Sequence, residues 1–108
     1  MGGTVVVAHS RYATMSTRQF VGVAEAIRME FSPEEDEVMR EVLSPMDDGE
    51  MTFISAMELA PEAFAVFVRA VQRAHLACRQ RGNFIVNESV WQELLEAISI
   101  DPRYPRGS

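Results

Sequence analysis

His75 and Cys78 stand three residues apart in a stretch of helical period, the spacing that places two ligands on one metal ion. Structural zinc needs four ligands, and His9 is the only other imidazole, so the pair reads as a packed histidine beside a packed thiol. Asp47-Asp48-Gly49-Glu50 has the composition of a calcium loop. Aligning Gly49 with the loop's glycine, however, puts Ser44 and Ser55 where the first and last ligands must be carboxylates. A helix-ending turn accounts for it. No Glu-x-x-His, Gly-x-Ser-x-Gly or glycine-rich phosphate loop occurs, and no lysine is present for Schiff-base or phosphate chemistry. The chain is therefore expected to be non-catalytic and to need neither metal nor cofactor.

Carboxylates are the plentiful chemical groups. Glu34, Glu37 and Glu41 form a ridge on the outward side of one predicted helix, and Asp47 and Asp48 follow in the turn beyond it. On an exposed face, burial cannot tune their pKa values for acid–base work. Between Glu30 and Glu62 there are eleven acids against Arg40 alone, whereas outside that window nine Arg face five acids. An acidic middle between basic flanks points to internal pairing or to a cationic partner. The two helices flanking Ser32 have the spacing of a helix-turn-helix, but the second begins Pro-Glu-Glu-Asp-Glu, which phosphate would repel. Nucleic acid is not the expected partner.

The elements that position these groups are legible from their ends. Pro61 starts and Gly82 stops a helix over 61–81, whose Phe64, Phe67, Val68, Val71, Ala74, His75 and Cys78 share a broad apolar arc. This helix is taken as central. Ser16 with Gln19 predicts a capping box, Met15 with Phe20 a hydrophobic staple, and Phe20, Val23, Ala24, Ile27 and Phe31 one apolar stripe. Ser32-Pro33-Glu34-Glu35 repeats the start signal for a helix to about Leu43, with Glu35 placed to reach back to the cap. These two helices are expected to pack as an angled or antiparallel pair. Residues 44–50 read as a turn, with Pro45 and Gly49 as its punctuation. Residues 51–58 permit a strand but lean toward a short helical segment. Asn87 caps a last helix carrying Val90, Trp91, Leu94, Leu95 and Ile98, which ends before Pro102. Residues 1–14 read either as an extension or as a short strand over 4–8, and 102–108 as an extended tail.

Composition sets the outer limits. At 108 residues and 47% hydrophobic, the chain forms one domain, 15–101, able to bury a core without staples. One cysteine fits a reducing cytoplasm, and no run approaches the ~20 apolar residues of a membrane span. All ten basic residues are Arg, the codon signature of a GC-rich, bacterial genome. The fold class is mainly α, four helices with a small β element at 4–8 or 51–58. The expected function is binding to a protein, as a small adaptor, antitoxin or immunity protein does. Glu34, Glu37, Glu41, Asp47 and Asp48 would steer a basic partner, with Met46, Met51 or Trp91 as apolar anchors. The partner is a second protein or a second copy. The alternative is a small-ligand site between helices, lined by Met39, Phe53, Phe67, His75 and Trp91.

Overall fold

The computed structural model describes residues 2–82 and 86–105, so the terminal Arg106–Ser108 part of the predicted tail lies outside the described residues. The elements run β1 (Gly2–Ala8), β2 (Arg11–Ser16), α1 (Thr17–Arg28), a 3-10 turn (Pro33–Glu35), α2 (Asp36–Asp47), β3 (Phe53–Ser55), α3 (Pro61–Arg81) and α4 (Glu88–Ser99). Among the described residues, four α-helices and a three-stranded sheet make the fold mainly α with a small β component.

The sheet order is β2-β1-β3. β1 and β2 form an antiparallel hairpin, pairing Val5 with Ala13 and Thr4 with Thr14, with a bulge between Val6 and Ala8. β3 runs parallel to β1, pairing Ile54 with Val5. The alternation of a half-buried strand follows: Val5, Val7, Ala13 and Ile54 are fully buried, and Thr14 faces solvent. Two expectations are corrected here. Residues 53–55 form a strand, because β1 offers a ladder that three residues of helix could not match. The strand over Arg11–Ser16 was not foreseen, since Thr, Tyr and Ser dilute its apolar signal.

Gly3 shows how closely a helix lies on this sheet. A Cβ at that position would overlap the Phe20 ring of α1. Phe20 is itself 1% exposed and has no empty space to move into. Gly3→Ala should therefore lower stability by about 1–3 kcal/mol, as overpacking does, measured by urea unfolding.

The caps behave largely as read. Gln19 N–H donates to Ser16 Oγ at 3.2 Å, and Gly82 closes α3 in the left-handed conformation at φ 65°. The side chain of Gln19 does not complete a capping box. Its Oε1 accepts from Asn87 N–H at 3.0 Å instead, tying the start of α1 to the start of α4. α2 continues past Leu43 through Pro45 to Asp47, beyond the expected turn. Pro45 removes only the donor to the Glu41 carbonyl, on an exposed residue where water can replace it. The first two helices do not form the expected pair. α1 packs on β1 and α3, while α2 packs on β3 and α3.

The core gathers Phe20, Val23, Ile27, Leu43, Ile54, Phe64, Phe67, Val71, Trp91, Leu94 and Ile98. Residues beyond α4 turn back rather than extend: Tyr104 N–H donates to the Asp101 carbonyl at 2.9 Å, and Tyr104 rests on the core. Among the described residues, no helix is long and apolar enough to cross a membrane.

Candidate docking face

The acidic segment is held rigid from its first residue. Ser32 caps the 3-10 turn, and its backbone N–H donates to Glu35 Oε1 at 3.0 Å, completing a capping box. The other carboxylate oxygen of Glu35 takes a charge-assisted bond from Arg69 on α3. Glu35 thus fixes α2 against α3 and leaves the outward ridge on a braced support.

Glu34, Glu37 and Glu41 are all exposed, and among the described residues none has an ion-pair partner. They border an open groove of about 370 Å³ between the 3-10 turn, α2 and the start of α3. Val38, Leu59, Ala63 and Val66 supply apolar side chains to it, and Glu62 adds a fourth carboxylate. Sequence reading missed Glu62 and these apolar positions. The available signal was Glu62 in the first turn of α3, on the side opposite Phe64 and Phe67.

Other acids answer the basic residues within the chain. Arg28 donates two bonds to Asp47, at 2.7 and 3.0 Å, and Arg40 meets Asp36 at 2.8 Å along α2. The Arg28 bonds hold the Asp47 carboxyl below the usual carboxylate range. Asp47 and Asp48 are both exposed, but Asp47 is committed to Arg28, whereas Asp48 has no ion-pair partner among the described residues. The predicted acidic set divides into a free ridge and an internal brace.

The predicted apolar positions are spread through the molecule. Phe67 and Trp91 are core residues, 0% and 1% exposed. Met39, Met46 and Phe53 are half-buried, the two methionines against the core, and Met51 is 51% exposed beyond α2. His75 stacks against Trp91 with ring centroids 5.7 Å apart and approaches Glu88 Oε2 at 2.9 Å. Gln92 first, and His75 second, hold the Glu88 carboxyl below its ordinary value. Cys78 is buried, and burial pushes its thiol up, away from the reactive thiolate. Phe67 and Trp91 thus fill the interior, while the ridge presents charge beside an apolar groove.

The chain as a whole is similar to known proteins. No family model matches the chain. The immunity protein CdiI of Burkholderia pseudomallei is 31% identical over 103 residues, covering 95% of this chain and 94% of its own length. A chain in the solved structure of a CdiA-CT toxin from Burkholderia pseudomallei in complex with its cognate CdiI immunity protein superposes with a TM-score of 0.89. The identity there is 30%, over 95% of this chain and 99% of that one.

Proposed function

The chain belongs to the CdiI immunity protein family, and on that premise we propose that it neutralises a CdiA-CT-type toxin in the cytoplasm by docking a basic surface on its acidic ridge. It acts by binding, without catalysis. The observation that carries this reading is the set of Glu34, Glu37 and Glu41, exposed and unpaired among the described residues, beside a groove with apolar walls. Free carboxylates on a braced helix raise the local concentration of a basic partner and orient it. The groove then takes an apolar side chain, so that charge supplies speed and register while burial supplies residence time.

Stopped-flow association with the purified toxin across a salt series tests it. The rate constant should fall about ten-fold or more between 50 and 500 mM salt, because the Debye length contracts from roughly 14 to 4 Å over that range. The dissociation rate should change much less. A salt-independent association rate would remove the acidic ridge from the docking step.

A further inference from the structure

β2 is an edge strand of the sheet, at the opposite end of its order from β3 and α2. Thr4 N–H donates to the Thr52 carbonyl at 3.0 Å, and Ala56 N–H donates to the Val6 carbonyl at 2.9 Å. Thr4 and Val6 therefore direct their backbone groups toward β3. Because that direction alternates along a strand, Gly3 and Val5 face β2 and bond with their partners Met15 and Ala13. Tyr12, Thr14 and Ser16 are left with backbone groups pointing to the outer edge. Among the described residues, no backbone bond from another element reaches Tyr12 or Thr14, whereas the Ser16 carbonyl, as N-cap, takes the first bond of α1 and leaves its N–H at the edge. All three residues are exposed, which places those groups in water.

Edge strands are ordinarily blunted by a charge, a proline or a bulge. The outward positions of β2 carry none of these, and the bulge of the hairpin lies on β1. We propose that β2 pairs antiparallel with β2 of a second copy of this chain, joining the two sheets into one of six strands. A two-fold axis at Thr14 sets Thr14 opposite Thr14 and Tyr12 opposite Ser16, so that outward-bonding residues meet outward-bonding residues. The same axis carries the start of one copy's α1 to the other copy's groove between β2 and α4. That groove is lined by Ser10, Arg11, Tyr12, Glu93, Glu96 and Ile100, and Arg11 within it is paired with Asp101 at 3.7 Å, which leaves the two glutamates as its unpaired charges. Arg18, at the second position of α1, is exposed and without an ion pair among the described residues, as are Glu93 and Glu96. The charges are complementary across the axis. Tyr12 and Ile100, 55% and 57% exposed, supply apolar area to cover. The acidic ridge stays open, so a dimer engages two toxin molecules.

Sedimentation equilibrium of the isolated protein, up to about 1 mM so that an interface below the standard size is captured, should follow a monomer–dimer equilibrium. Thr14→Lys sets two ammonium groups face to face at the axis and should weaken dimerisation about ten-fold or more. Arg18→Glu should weaken it about five-fold, and adding Glu93→Arg and Glu96→Arg to the same chain should restore it. That rescue cannot arise from a folding defect. A monomer at every concentration overturns the proposal, as does a dimer indifferent to Thr14→Lys. Loss of toxin binding by Thr14→Lys in a protein that is monomeric throughout would assign the edge to a toxin strand instead. The acidic-ridge reading stands or falls separately, on the salt dependence of toxin association.

Discussion

Arg103→Ala is expected to destabilise the folded chain by about 3–5 kcal/mol, the cost of removing one partner from a buried ion pair. Arg103 Nε and Nη2 donate to Oδ1 and Oδ2 of Asp101, both at 2.9 Å. Nη1 donates to the carbonyls of Ala56 and Leu59 at 2.9 Å, and Nη2 to that of Val7 at 2.8 Å. The guanidinium also lies 4.0 Å from the centroid of the Phe64 ring. One side chain therefore ties the C-terminal turn to β1, to the exit of β3 and to the start of α3. Its removal leaves Asp101, which is 1% exposed, with the backbone N–H of residue 103 at 2.8 Å and Arg11 at 3.7 Å, and without its buried counter-charge. The melting temperature should fall by at least about 12 °C, read by circular dichroism. Arg103→Lys should recover only part of the loss, because an ammonium cannot make the two-pronged contact and reach three carbonyls as well. A melting temperature within a few degrees of the parent would show that the clamp contributes little.

The same pair sets a pH signature. Hydrogen bonds from Arg103 hold the Asp101 carboxyl below the usual carboxylate range, against the opposing effect of burial. A carboxyl whose folded value is depressed binds more protons when unfolded. Its contribution is complete above the ordinary carboxylate value near ~3.9 and disappears as pH falls through the lower, folded value. Acid unfolding of Arg103→Ala should lose the part of that component that the guanidinium supplies, so parent and variant stabilities should draw together as the pH drops below about 4.

Helix starts were legible because each is written in adjacent residues: Ser16 before the Phe20 stripe, Ser32-Pro33 before Glu35, Pro61 before Phe64. The outward ridge followed from helical period alone. What could not be read were bonds between distant segments. Arg103 reaches Val7 across the whole chain, and nothing local marks Asp101 and Arg103 as more than charges in a tail. The strand at 53–55 needed β1 beside it, and Gln19 needed Asn87 to draw it away from its own helix cap. Pro45 misled because proline stops a helix only when the lost bond matters, and here it falls in the final turn, facing water. Trp91 illustrates the same limit for a binding site. Its place on an apolar stripe does not distinguish an anchor from a core residue, and the packing of α4 buries it.

Glu34→Arg, Glu37→Arg and Glu41→Arg combined in one chain are expected to weaken toxin binding about 10²–10³-fold, with most of the loss in the association rate at low salt. The choice of positions follows from what each acid already does. Glu35 caps Ser32 and holds Arg69, and Asp47 holds Arg28, so reversing either would confuse folding with binding. The three ridge residues have no such partners among the described residues, and a surface substitution of this kind ordinarily changes stability by no more than about 0.5 kcal/mol. Glu34 and Glu37 are the exceptions. They lie in the first turns of the 3-10 helix and of α2, where the helix dipole favours negative charge, and an arginine at either adds a cost of about 0.3–1 kcal/mol. The triple Glu→Gln variant separates the effects, since it removes attraction without adding repulsion and should weaken binding only about ten-fold. An ordering of parent, Gln variant and Arg variant that collapses at high salt identifies steering by the ridge. If the Arg variant keeps its fold and binds the toxin as the parent does, the ridge is an ordinary hydrated helix face and the partner docks elsewhere.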